Sequence, residues 1–366
     1  MANQSFDACI DCKSCMKGCL LLEEFTNSPK NLLMDFQTKK PSAHITFSCA
    51  TCNYCFSVCP VDISFQEIFK DLKQEYAKDD KILNTFGYKA ILFHQKNSFS
   101  KFFTAKTKFT KGKYSYMAFM PGCALSSYSP VLVQKIYSHL QEILPGINIL
   151  QQCCAQPTRI VGDMKRFKTL YSKLEEDIST LNAQTIITAC ENCYMSLKEY
   201  SPQVQTISLY EILAQYGIPK SKKNAFSDFE SVALHDPCPT RDQKALHISV
   251  RSLLNQMGLK IQEFKYNKEK TQCCGSGGML ELTNPKLALK QMQNRANQTS
   301  CETIVTYCQS CAESMSKGGK NGMHILDLLF AQEVTSGFKQ QKNSVIKKWY
   351  NRYRSKKNIQ KFKEVL

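Results

Sequence analysis

The sequence predicts a small helical module followed by two copies of an α/β lobe, each with a parallel sheet. Three observations carry this reading. Eight of the nineteen cysteines fall before residue 60, in two runs of four. Ten more form two sets of five in the same order and at nearly the same spacing: Cys123, Cys153, Cys154, Cys190 and Cys193, then Cys238, Cys273, Cys274, Cys308 and Cys311. From residue 116 onward, short apolar runs end at these cysteines, with helical patterns between them.

The first module is defined by Cys9, Cys12, Cys15 and Cys19, spaced C-x2-C-x2-C-x3-C, and by Cys49, Cys52, Cys55 and Cys59, which repeat that spacing and are followed by Pro60. This is the run of bacterial ferredoxins, in which three cysteines hold one cube and the fourth crosses to the other. Cys9, Cys12, Cys15 and Cys59 are therefore expected to hold one [4Fe-4S] cluster, and Cys49, Cys52, Cys55 and Cys19 the other. Zinc sites show C-x2-C pairs set well apart rather than this run of four. Leu20 stands where the first run would carry proline. Leu20 to Phe25, Leu32 to Phe36 and Ile63 to Tyr76 read as helices, which gives an α-helical ferredoxin module over residues 1–85.

Residues 86–115 read as a basic linker or loop: Lys96 to Lys113 holds six lysines and no acid, with Phe99, Phe102, Phe103 and Phe109 among them. A first lobe is expected over 116–220 and a second over 221–334. Strands are placed at Tyr116–Met120, Ile147–Leu150, Thr185–Thr188, Val232–Leu234 and Thr303–Thr306, and helices at Val131–Leu144, Arg166–Leu181, Lys244–Met257 and Pro285–Gln298. Ligands of parallel α/β sheets gather beyond the carboxyl ends of strands, which is where these cysteine groups fall. The duplication extends past the cysteines, since Thr206 to Leu213 follows Cys193 at the distance at which His324 to Leu329 follows Cys311. Residues 335–366 read as a basic amphipathic tail. Ile346, Trp349, Tyr350 and Tyr353 lie at helical spacing among lysines and arginines, suited to an anionic membrane face or an acidic partner. The alternative is a helix whose aromatic stripe packs back on its own lobe.

Composition narrows the function. The formal charge is +17, yet the basic segments carry no nucleic-acid-binding motif, so no nucleic-acid partner is expected. No cleavable signal is read before Cys9, and clustered thiols at regular spacing favour metal ligation in a reducing cytoplasm over disulfides. The longest uncharged stretch, Tyr114 to Gln134, holds Pro121-Gly122 at its middle and reads as strand, turn and helix start rather than a membrane span. Gly275-x-Gly277-Gly278 lacks the dinucleotide-binding form, so a partner must supply hydride chemistry.

These residues resemble the iron-sulfur proteins with a duplicated cysteine-rich CCG domain, the group that includes heterodisulfide reductase, the third subunit of anaerobic glycerol-3-phosphate dehydrogenase and the iron-sulfur subunits of glycolate and lactate oxidation. The resemblance rests on His235-Asp236-Pro237-Cys238, Cys273-Cys274-Gly275-Ser276-Gly277-Gly278-Met279 and Cys308-Gln309-Ser310-Cys311, and spans about residues 1–330. It implies that Cys123, Cys153, Cys154, Cys190 and Cys193 surround one further cluster and Cys238, Cys273, Cys274, Cys308 and Cys311 another, either of them a non-cubane [4Fe-4S] cluster. One position departs: Ala155 stands where the motif has glycine, which leaves a simpler cluster, zinc or a structural role open for the first lobe. Cys301 fits no set.

The function expected is an oxidoreductase subunit passing electrons through two cubanes to or from clusters in the lobes, between a partner flavoprotein dehydrogenase and a quinone or other carrier. It is expected in the cytoplasm, with peripheral contact at the cytoplasmic membrane face. A disulfide reductase acting at a lobe cluster and a zinc-stabilised scaffold are the alternatives. His235, Asp236 and Arg241 are candidates for donating protons or holding anions, against the plainer reading of packing and capping.

Overall fold

The computed structural model describes residues 6–331 and 338–362. In the N-terminal module the helices Leu20–Phe25, Pro29–Thr38 and Phe65–Tyr76 form where the apolar spacing places them. Ser28 and Ser64 accept from the amides of Asn31 and Glu67 and so cap the second and third. Leu32, Leu33, Phe36, Ile68, Phe69 and Leu72 bury one face of each. The module does not close this core alone, because Leu280, Leu287, Ala288 and Met292 of the second lobe complete it.

Residues 86–115 are not a linker. They hold the helix Tyr88–Ser98, with Tyr88, Ile91, Gln95 and Ser98 buried along one face, and strand β1, Ala105–Lys106. Lys96, Lys101, Lys108, Lys111 and Lys113 are exposed, so a thin buried face is masked in the composition by the charges beside it.

The first lobe has strands β2 (Met117–Met120), β3 (Asn148–Gln151), β4 (Thr185–Thr188) and β5 (Gln205–Ser208), the second β6 (Val232–His235), β7 (Ile261–Glu263), β8 (Thr303–Thr306) and β9 (Asn321–His324). The sheet orders are β1-β3-β2-β4-β5 and β7-β6-β8-β9. All pairings are parallel except β1 on β3, so the two lobes repeat one topology with β1 added at an edge. Strands β2, β3, β4 and β6 are buried along their whole length, as parallel strands covered on both faces must be. The expected division near residue 220 falls in a short turn, Lys220–Lys222. Packing does not divide there: Leu209 and Leu213 of one lobe share a core with Val250, Leu253 and Leu254 of the other. The expected boundary between residues 334 and 335 lies outside the described residues.

The C-terminal helix, Val345–Lys361, packs on the first lobe. Its buried face is Asn351, Arg352, Ser355 and Ile359. Of the stripe read from the sequence, Trp349 packs against Phe93, His94 and Phe103, whereas Ile346 is 83% and Tyr350 53% exposed. The helix therefore turns a face about two residues on, nearly opposite to that stripe, toward the lobe, because asparagine and arginine find buried partners that the sequence alone does not show. Among the described residues, no helix is long and apolar enough to cross a membrane.

Candidate metal centres

In the N-terminal module a left-handed residue in the spacers curls each run. Asp11, Lys13, Gly18, Thr51 and Asn53 all have positive φ, one between each successive pair of cysteines in 9–19 and 49–55. The result brings the fourth cysteine of each run to the other. Cys19 is half-buried, and its thiol is pushed well up by burial and then by Cys52, Cys55 and Cys49 beside it. Cys15 is pushed up to about 12 by burial and then by Cys55, Cys59, Cys9 and Cys12. Amides turn toward sulfur, Thr51 N lying 3.4 Å from Cys49 Sγ and Ile63 N 3.3 Å from Cys59 Sγ. A cavity walled by Leu21, Leu22, Phe65, Phe69 and Leu287 is lined by Cys19, Cys49, Cys52 and Cys55, with Cys273 of the second lobe at its edge. Buried thiols that raise one another are poor thiolates on their own and good ligands for a cation that takes the proton's place. An apolar pocket ringed by four of them fits a cubane.

In the second lobe the loops after β6 and β8 carry Cys238 and Cys308, and the doublet Cys273-Cys274 follows a loop that leaves β7. Strand β7 is not legible in the sequence, being three residues long with Gln262 and Glu263 exposed. The five thiols meet: Cys274 Sγ and Cys311 Sγ are 3.2 Å apart, and hydrogen bonds from Cys273 and Cys311 hold Cys274 well below its ordinary value. Cys273 and burial raise the thiols of Cys238 and Cys52, and Cys52 and Cys273 line one cavity, so a thiol of the dicluster module adjoins the doublet of this lobe. The glycines after Cys274 permit that contact. A Cβ on Gly277 would lie 2.5 Å from the Ala50 carbonyl oxygen, and one on Gly278 2.4 Å from that of Cys49. They admit the neighbouring module's loop.

The three residues beside Cys238 have distinct places. Arg241 ties the modules together, donating to the carbonyls of Cys52, Glu269 and Thr271 and to Ser57 Oγ. Asp236 is fully buried and paired with Arg251 at 2.9 Å, and it accepts from Tyr307 and the Lys268 amide. His235 accepts from Arg295 at Nδ1, while its Nε2 has no partner; His235, Cys274 and Cys311 present ligand atoms within 4.8 Å of one another. Of these three, His235 is the one directed at the thiols. Cys301 lies outside both sets, its Sγ 2.7 Å from Gln262 Oε1.

The first lobe gathers its five thiols at the ends of β2, β3 and β4. Gly122 is required there, since a Cβ would lie 2.8 Å from that of Cys190 and 3.6 Å from the sulfurs of Cys190 and Cys193. Cys193 is paired with Cys154 and Cys190. A hydrogen bond from Cys153, aided by the Arg352 guanidinium, brings Cys123 down to about 6 against the effect of burial. Ala155 has φ +57 and ψ +7, so the turn that glycine makes after Cys274 is made here by alanine, and the doublet keeps its geometry. Arg352, Gln95 and His94 border this site without any mark in the sequence, because each belongs to a segment that reads as tail or linker.

A model of the 4Fe-4S dicluster domain matches residues 8–64, and a model of the cysteine-rich CCG domain matches residues 117–198 and again 232–316. An uncharacterised iron-sulfur protein of Methanococcus maripaludis is 24% identical over 334 residues, covering 83% of this chain and 66% of its own length. A subunit of the fumarate reductase (CoM/CoB) of Methanothermobacter marburgensis is 22% identical over 360 residues, 88% of this chain and 70% of its own. The glycolate oxidase iron-sulfur subunit of Escherichia coli is 24% identical over 159 residues, 38% of each. The chain thus spans about two thirds of the length of the two methanogen proteins.

Proposed function

We propose that this chain, which belongs to the iron-sulfur proteins combining a 4Fe-4S dicluster domain with a duplicated CCG domain, is the subunit through which electrons move between a partner dehydrogenase and a second carrier. Bound clusters would supply one-electron carriers at each cysteine set. The ligand sets are Cys9, Cys12, Cys15 and Cys59 for one cubane, Cys49, Cys52, Cys55 and Cys19 for the other, and the two sets of five for one cluster in each lobe.

The observation that carries this reading is that Cys52 of the dicluster module and Cys273 of the second lobe line one cavity. It sets a cubane ligand set beside a lobe ligand set. An electron on the Cys49 set then has an onward station beside it in the second lobe. In this reading the partner is a flavoprotein dehydrogenase, which supplies the hydride chemistry. The acceptor is a quinone or a similar carrier. The exposed Val345, Ile346 and Tyr350, set among Lys342, Lys347 and Arg354, offer a face for a partner or for the cytoplasmic membrane surface.

Anaerobic purification, stepwise reduction and paramagnetic resonance test the reading. Two cubane signals that broaden as a further signal grows support it. Two isolated cubane signals with zinc in the lobes would instead mark a scaffold and sink it. Disulfide cleavage at a lobe cluster is the second reading, favoured by the fifth thiol in each set, one more than a cubane binds. Its test is a new paramagnetic signal on adding a disulfide to the reduced protein, absent when Cys274 is replaced by serine.

A further inference from the structure

Buried polar atoms without partners are uncommon in folded chains, and each calls for a group or ion that it is built to meet. In this chain they concentrate where the helix Tyr88–Ser98 and the C-terminal helix meet the first lobe: His94 Nδ1, Gln95 Nε2, Arg352 Nε and Ser355 Oγ are all buried and unpaired. Arg352 is among the largest fully buried side chains in the molecule, at 2% exposure. Its guanidinium donates to Ser98 Oγ at 2.6 Å and reaches Cys123 Sγ at 3.6 Å, and it stacks 4.9 Å over the Trp349 ring. Gln95, 1% exposed, lies 3.8 Å from Cys153 Sγ through its carboxamide, which presents either its oxygen or its NH2 group on rotation. Among the described residues, no carboxylate pairs with the guanidinium. A buried cation without an acid beside it is costly unless an anion completes the site.

We propose that the C-terminal helix is a closing element of the first lobe's metal site, in which Arg352 balances the charge of a bound anionic iron-sulfur cluster and, with Gln95, donates hydrogen bonds to its sulfurs. This rests on the reading that the lobes hold clusters, and it assigns a full cluster to the lobe whose motif departs at Ala155. The helix is held for this task. Gln151 Nε2 donates to the Arg352 carbonyl at 3.1 Å, and Asn351 Nδ2 donates to the carbonyls of Ser127 and Tyr128 at 2.9 and 3.0 Å. Lys356 donates to the Lys101 carbonyl. The bonds of Gln151 and Asn351 place the helix relative to a strand end near Cys153 and the end of a short helix, Cys123–Tyr128, that begins at a ligand cysteine.

A positive charge and hydrogen bonds at cluster sulfur favour the reduced state, so removing them lowers the reduction potential. The test reconstitutes the full chain with iron and sulfide under anaerobic conditions and counts iron before any substitution. A wild-type content of about eight irons, that of two cubanes, overturns the reading that the lobes hold clusters and this inference with it. With more than that bound, Arg352→Met is expected to lose about four irons, or to keep them with the first-lobe signal moved to lower potential, while both cubane signals stay. Arg352→Lys is expected to restore the iron and most of the potential. Full iron and unshifted signals in Arg352→Met overturn the role of Arg352 alone. Should Arg352→Met fail to fold, Gln95→Leu on the other helix decides: a smaller shift in the same direction supports the proposal, and no shift overturns it.

Discussion

Arg241 of the second lobe donates from Nε to the Cys52 carbonyl of the dicluster module, 2.8 Å away. With its remaining nitrogens it also reaches Glu269 O at 2.6 Å, Thr271 O and Ser57 Oγ, so one guanidinium fastens the loop of one site to the loop of the next. Arg241→Met would leave these carbonyls buried without donors, at about 1–3 kcal/mol each. A loss of at least about 3 kcal/mol is expected in anaerobic urea unfolding. Arg241→Lys is expected to recover only a part, since an ammonium cannot span a planar fork. Recovery to within about 1 kcal/mol of wild type would show that charge alone suffices.

The two doublets make opposite predictions for alanine and glycine. At Gly275, φ is +95 and a Cβ would lie 2.7 Å from Met292 Cγ and 2.8 Å from the Ala288 carbonyl oxygen. Gly275→Ala is expected to cost about 2 kcal/mol or more and to lower iron in the second lobe. Ala155 already tolerates its positive φ. Ala155→Gly relieves about 1 kcal/mol of left-handed strain and adds a similar entropy to the unfolded chain. Its melting temperature is therefore expected to stay within a few degrees of wild type, with iron content unchanged; a large loss of iron would show that the methyl group itself packs the site.

How much of this is legible in the sequence follows from what each feature depends on. The cysteine sets and the strands β2, β3, β4, β6 and β8 are set by spacing within short stretches, and the sequence carries that spacing openly. The helix Tyr88–Ser98 is lost among lysines because its buried face includes Gln95 and Ser98, which no hydrophobic pattern marks. Arg352 is equally silent: its partner Cys123 lies 229 residues away, and within its own helix it is one of many basic residues. The glycines after Cys274 stand out for close approach, but what approaches them is the backbone of Cys49 and Ala50, a contact made by tertiary docking.

Two buried cysteines should behave as opposites. Cys273 lines one cavity with Cys52 at the junction of two sites, whereas Cys301 bonds Gln262 and neighbours Ser231. Cys273→Ser is expected to lose about four irons and to slow reoxidation of the reduced cubanes by a dye at least about tenfold, roughly 1.4 kcal/mol in barrier. Cys301→Ser is expected to leave iron, spectra and reoxidation rate unchanged. Equal behaviour of the two variants would remove the special place given to the junction.

The joint between the lobes should respond to pH through Asp327. It is 3% exposed and accepts from Tyr128 of the first lobe at 3.1 Å and from Gln340 at 2.9 Å. Burial raises its carboxyl to about 6, with Gln340 and Tyr128 acting in the opposite direction. The folded chain thus holds this proton more tightly than the unfolded chain, where an ordinary aspartate releases it near pH 4. The contribution is fully present below about pH 4, falls as pH rises to about 6, and is flat beyond, for a total near 3 kcal/mol at about 1.4 kcal/mol per unit. Asp327→Asn carries no charge and should lose this slope. Urea unfolding of both proteins at about pH 4.5, 5.5 and 7, values chosen to bracket that window, is expected to show the variant gaining on wild type as pH rises, by about 1–3 kcal/mol. A difference that stays constant across the series would mean that Asp327 is ionised alike in both states, and that the Tyr128 contact is an ordinary hydrogen bond to a carboxylate.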